Sequence, residues 1–282
     1  MLTIQQQIEK AQSIFDTDQL PAMPKEIIKL NQMLSDPQLP EIKEVVQLIS
    51  KNMNLAAEVI KTANLPMFSM HRHSDTTTIR EAVDLIGLKQ LKSMVMGIFY
   101  SMEYLGRARE EINHLSLNTA ALCALLSYRV HGLNEEQAYL AGLFHNAGAI
   151  LMANFFKDYD QVFMETLSQP YHIKPVECDT YNASRNVAGL LLAKKWRLSK
   201  YIGHVIYQAH KRNIKDIEDD TIRLLVALIQ LSEACLIKSE HPDYYSEEVE
   251  QMYENANAEL MISEEDIEEA MIYLFPHFGE LG

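Results

Sequence analysis

An all-helical fold is predicted by three features of the sequence. Nearly every segment carries apolar residues at a helical period. No stretch alternates apolar and polar residues like a half-buried strand, and no Asn-Gly or Asp-Gly pair marks a hairpin. Caps, prolines and glycines punctuate helices of about 8 to 20 residues joined by short connections. These features predict a compact multi-helix bundle with an N-terminal helical subdomain. No fixed-period repeat points to a solenoid.

The elements follow in order. Leu2 to Phe15 reads as an added N-terminal helix, within a first segment of residues 1–14. Pro24 and Pro40 stand near helix starts, where a missing N–H removes no bond. Asp36-Pro37 breaks the chain between those helices. Thr78-Ile-Arg-Glu81 is a capping-box pattern ahead of Ala82, Val83, Leu85 and Ile86, and Gly87 ends that helix. Gly106-Arg107-Ala108-Arg109 lies between two groups of helices, about 15–105 and 112–240, within a domain spanning 15–240. Asn134 caps a helix running through Ala138 and Leu140 to Phe144. Ser263-Glu-Glu-Asp266 opens the last helix, with acids where the helix dipole favours them. The segment 241–282 is expected to add acidic helices that close the bundle.

Charge and composition exclude several function classes. The net charge is −14 over 282 residues. Thirteen acids and no Lys or Arg lie between Glu240 and Gly282, leaving 26 acids against 25 bases elsewhere. A negative chain without a basic stripe repels phosphate backbones, so no nucleic-acid partner is expected, although Lys194, Lys195 and Arg197 form a local basic patch. The acidic tail reads as a solvated helix face. No apolar run approaches the roughly 20 residues needed to cross a bilayer, and the N-terminus lacks a secretory pattern. Cys123, Cys178 and Cys235 are odd in number and widely spaced, as reduced thiols would be, so a cytoplasmic protein is expected.

The most informative stretch is Ala138-Tyr-Leu-Ala-Gly-Leu-Phe-His-Asn-Ala-Gly-Ala-Ile-Leu151, an apolar helix ending in His145-Asn146. It resembles the HD superfamily, where such a helix ends in a metal-binding His-Asp pair, and more closely the HDOD family, the HD-related output domain of bacterial signalling proteins. Five segments in all resemble that family in order. They are Leu20-Pro-Ala-Met-Pro24; Ile49 to Ala57 with Ile60 and Ala63-Asn64, where Asn52 takes an acidic position; Ile79 to Gly87; Ala141-Gly-Leu-Phe-His145; and Gly189 to Leu198, with the chain's only tryptophan, Trp196. The resemblance implies an HD-like helical fold and a role in regulatory circuits. No receiver, GGDEF or EAL-like segment fits the chain, so input is expected from a separate signalling protein or a small anionic ligand.

The same resemblance implies a damaged metal site. An HD enzyme holds divalent metal through His and Asp ligands, and the metal lowers the pKa of its water. Asn146 is neutral, whereas hard cations favour anionic oxygen ligands. The family's first histidine corresponds to Leu115, before Ser116-Leu117; His114 is one residue off, about 100° around a helix. The histidine expected before Gly189 is Arg185, and the last acidic position is Glu233. His204 and His210 stand nearby in sequence as further nitrogen donors. The vestigial pocket is therefore read as His145, Asn146, Leu115, Arg185, His210 and Glu233. Arg185 either repels a cation, pairs with Glu233 as a salt bridge, or makes the pocket a phosphate or carboxylate site; the salt bridge is favoured. No catalytic residue, resident metal or other cofactor is assigned. The alternative is a metal-dependent phosphohydrolase with an atypical site.

Other candidates have simpler readings. His71-Arg-His73 reads as exposed loop rather than a metal or phosphate site. Met94, Met96, Phe99, Tyr100 and Met102 read as core rather than a partner surface. Cys178 has no local sign of activation. No Walker-type loop, GxSxG or GxGxxG occurs, and the sequence leaves the oligomeric state open.

Overall fold

The computed structural model describes residues 4–15, 25–35, 38–64, 75–104, 110–196 and 198–275. Among them the regular structure is helical, with no strand. Two compact units form, Pro21–Leu105 and Met1–Leu20 joined with Gly106–Gly282. No helix among the described residues is long and apolar enough to cross a membrane.

Helix α1 (Ile4–Ile14) belongs to the larger unit; the smaller unit contains α2 (Lys25–Ser35), α3 (Ile42–Ile49), α4 (Met53–Ala63), α5 (Ile79–Ile86) and α6 (Leu88–Tyr104). Its core collects Leu30, Val45, Ile49, Val59, Val83, Leu91 and Phe99, all but closed to solvent. Asn52 caps α4 by accepting from Leu55 N–H at 3.0 Å, a task an aspartate would perform equally well. Asn64 at the other end holds the chain that follows. Its Oδ1 accepts from Thr76 N–H at 2.7 Å and its Nδ2 donates to the Thr76 carbonyl at 2.9 Å. The capping box at α5 is complete: Thr78 Oγ1 accepts from Glu81 N–H and the Glu81 carboxylate accepts from Thr78 N–H. Gly87 then takes φ +79°, a conformation that favours glycine. Met94, Met96 and Phe99 are core residues of α6. The Leu20–Pro24 segment, Asp36-Pro37, His71 to His73, Gly106 to Arg109, Arg197, and the side chains of Tyr100 and Met102 lie outside the described residues.

The larger unit begins with α1 (Ile4–Ile14) and continues with α7 (Glu110–Ser127), α8 (Glu135–Phe144), α9 (Ala147–Phe155), α10 (Tyr159–Leu167), α11 (Ile173–Tyr181), α12 (Arg185–Lys195), α13 (Lys200–Gln208), α14 (Asp220–Glu240), α15 (Glu247–Leu260) and α16 (Glu264–Leu274). Helix α14 is the axis: every residue from Leu225 to Ile237 is buried. It packs against α7, α8, α13 and α15, so apolar residues fill all its faces. The acidic tail helices are amphipathic partners of this bundle. Val249, Met252, Leu260, Ile267 and Met271 point inward while most of their acids lie at the surface; Glu248 and Glu259 are partly covered and meet His172 and Arg223. Helix α1 packs against α12, and Phe15 stacks edge-on against Phe155 at 5.1 Å.

Candidate functional site

Local packing sets where His145 stands. Asn134 caps α8 by accepting from Gln137 N–H at 2.8 Å. Near the other end, Gly142 passes so close to α7 that an added Cβ would lie 2.7 Å from Ala120 Cα. Helices α7 and α8 form an antiparallel hairpin, so the His145 end of α8 lies beside the half of α7 that carries Leu115. One turn on, Gly148 crosses the start of α12 backbone to backbone; a Cβ there would fall 1.7 Å from the Arg185 carbonyl oxygen. The two glycines explain why an apolar helix end can sink the polar pair His145-Asn146 into the interior.

The pair converges on one carboxylate. His145 Nδ1–H donates to the Gly142 carbonyl, and His145 Nε2 lies 2.9 Å from Glu233 Oε1. His210 Nε2 lies 2.9 Å from Glu233 Oε2, and Asn146 Nδ2 donates more weakly to Oε1 at 3.4 Å. Glu233 is only 3% exposed. Burial works to raise its pKa, but His210 and His145 beside it outweigh that and hold the carboxyl well below the usual carboxylate range. Both ring nitrogens of His145 face oxygen atoms. Asn146 Oδ1 and His210 Nδ1 have no hydrogen-bond partner among the described residues.

Arg185 belongs to a second cluster, which corrects the expected bridge to Glu233. Its Nε donates to Glu177 Oε1 at 2.5 Å, and its own N–H donates to Glu177 Oε2 at 2.7 Å. Its terminal nitrogen reaches Thr166 Oγ1 at 2.8 Å, Tyr159 donates its phenol proton to Glu177 at 2.5 Å, and the guanidinium lies 4.7 Å from the Phe163 ring centre. Burial and the neighbouring Glu177 push the Tyr159 phenol well above its ordinary value, against the opposing pull of Arg185. Burial alone would lower the Arg185 pKa; Glu177 reverses this and raises it. Two of its three guanidinium nitrogens are thus committed to Glu177 and Thr166.

The structure thus joins His145, Asn146, His210 and Glu233 by hydrogen bonds, while Arg185 bonds Glu177 instead and lies near enough to Glu233 for that carboxylate to help raise its pKa. Leu115 is buried on α7 and offers no donor atom. His114 is exposed, with Nδ1 3.6 Å from Glu240. His204 is exposed on α13 and does not join the cluster. Sequence reasoning missed Glu177, Thr166 and Tyr159. Glu177 left a trace: it interrupts the buried stripe Ile173, Glu177, Tyr181 on α11, where a lone acid needs an inward partner. Cys178 is half-buried, and burial pushes its thiol up, away from a reactive thiolate.

The donor set does not fit a divalent metal. The two histidines direct Nε2 at opposite oxygens of one carboxylate, Asn146 is neutral, and Leu115 has no donor. Among the described residues no three His, Cys, Asp or Glu side chains are placed to hold a metal ion.

An all-helical scaffold with a buried helix-end histidine is the architecture of HD-type proteins. The HDOD domain family matches residues 20–212, and the chain belongs to that family. An HDOD domain protein of unknown function from Geobacter sulfurreducens shares the fold, with a TM-score of 0.69 and 22% identity, over 99% of this chain and 97% of its own. So does a proposed phosphohydrolase from Shewanella amazonensis SB2B, with a TM-score of 0.70 and 19% identity, over 94% of this chain and 96% of its own. An uncharacterized protein of Treponema pallidum (strain Nichols) is 24% identical over 218 residues, 74% of this chain; the chain spans about two fifths (41%) of the length of that curated relative.

Proposed function

We propose that this chain is a non-catalytic HDOD module of bacterial, cytoplasmic regulation that acts by binding a signalling protein. The observation that carries the reading is the cluster His145–Glu233–His210, in which one carboxylate takes the Nε2 atoms of both histidines. Family membership supports the regulatory role. Metal-assisted hydrolysis needs a cation to lower the pKa of water and draw charge from phosphate. Neutral Asn146 and apolar Leu115 supply neither the charge nor the donors for it.

The test is metal content of the purified chain by mass spectrometry, with hydrolysis of a generic phosphodiester in added Mn²⁺ or Mg²⁺. We expect no stoichiometric metal and no turnover. Asn146→Asp alone should stay inactive, because Leu115 and Arg185 still leave the ligand set incomplete. Bound metal with activity that His145→Ala removes would overturn the reading.

A further inference from the structure

A cavity of about 390 Å³ opens between α1, the end of α12 and the start of α13. That volume lies in the range of small-molecule pockets, about 300–1,000 Å³. Its walls are mainly apolar, with Ile8 from α1, Leu190 and Ala193 from α12, and Leu198 from the connection to α13; Ser199, His204 and Tyr207 complete the lining. Gly203 leaves one wall open; an added Cβ there would lie 3.4 Å from the end of the Leu190 side chain. At the mouth stand Lys194 and Lys200, both exposed. Neither has an ion-pair partner among the described residues. In a chain of net charge −14, two unmatched lysines at an apolar cavity are a local departure from the whole.

The two features select a ligand class together. An apolar interior rejects a free phosphate or a nucleotide, whose polar groups would lose water without replacement. The lysines favour a negative head and disfavour a cationic one. A long, flexible anion with one charged end satisfies both. We propose that this cavity binds a medium-chain fatty carboxylate, with its hydrocarbon against Ile8, Leu190 and Leu198 and its head against Lys194 and Lys200. Ile8 makes α1 one wall of the site, so an occupied cavity tethers α1 to α12 and gives a binding module a small-molecule input. The inference is independent of the buried cluster, since neither Glu233 nor His145 lines the cavity.

The experiment titrates the full chain with decanoate, below the range where it self-associates. Calorimetry reads the binding, and so does emission of Trp196, two residues beyond Lys194. Saturable one-to-one binding is expected, tightening up to about four-fold per methylene from octanoate to decanoate. The double variant Lys194→Gln/Lys200→Gln should bind at least about ten-fold more weakly. Gly203→Leu, which fills the cavity, should abolish binding while circular dichroism confirms its helices. Decyltrimethylammonium and inorganic phosphate should not bind. Absence of saturable decanoate binding would overturn the proposal. So would unchanged affinity in the lysine variant, or equal binding of the cationic amphiphile or of phosphate. If Gly203→Leu fails to fold, the lysine variant and the two control ligands still decide the matter.

Discussion

Glu233 accepts from His145, His210 and Asn146 in the interior of α14, and its pKa is held down although burial opposes this. A group whose folded pKa lies below its unfolded value of about 4.3 stabilises the fold fully above that value. The contribution is lost as pH falls through the lower folded pKa. Urea midpoints measured from about pH 7 down to about pH 3 should therefore fall in the acid limb, and Glu233→Gln should blunt that fall. At neutral pH the same substitution should cost roughly 1–3 kcal/mol, because it disrupts buried hydrogen bonds to His145 and His210. A variant as stable as the parent would show that the cluster is not structural. Arg185→Met should be more harmful, since it strands the Glu177 carboxylate in the core. Adding Glu177→Leu should recover much of the loss, as an apolar replacement of both partners removes the stranded charge. The sequence shows that Arg185, Glu177 and Glu233 are unusual residues for their apolar surroundings. It does not show which acid meets the arginine, because that depends on how α11 turns back through the left-handed Asn182 to start α12.

At the scale of elements, the helices themselves are the most legible part. The Thr78–Glu81 capping box, the Asn134 cap and the Ser263 cap are each local patterns, and each forms as its residues dictate. Helix crossings are less legible, because a glycine inside an apolar run has several possible causes. Gly148 is decided only by the close approach of α9 to the Arg185 carbonyl. Gly148→Ala should force those backbones apart and cost more than about 3 kcal/mol, at or beyond the upper end of ordinary overpacking. Gly87→Ala meets no atom within 4 Å and suffers only its backbone conformation (φ 79°, ψ 152°), so its loss should be about 1–3 kcal/mol. Urea denaturation of the two variants side by side separates the causes. Equal losses would mean that the α9–α12 contact is not tight in solution.

Over the whole molecule, the span matched by the family ends at Arg212, whereas the cluster that defines the site does not. Glu233 lies beyond that point on α14; α14 is in turn covered by α15, and the last tail helix, α16, packs on α7. Val249, Met252, Leu260, Ile262, Ile267 and Met271 are each at most about 5% exposed. Burying such side chains stabilises by about 1.5–3 kcal/mol apiece, on the order of 10 kcal/mol together. That matches the entire stability of a typical domain, about 5–15 kcal/mol. A chain ending at Glu240 should therefore lose cooperative unfolding and collect in the insoluble fraction, although it retains the whole matched span. The acidic character of the tail is not the cause. Arg129 meets Asp266 at 2.8 Å from an exposed position, and Arg129→Ala should change stability by less than about 1 kcal/mol, as surface pairs do. Soluble yield and a urea transition followed by near-ultraviolet circular dichroism compare the two variants directly. A truncated chain that stays soluble and unfolds in one sharp step would show that the tail is an appendage. Loss of the transition in that chain alone would show that burial, and not the surface ion pair, joins the tail to the domain.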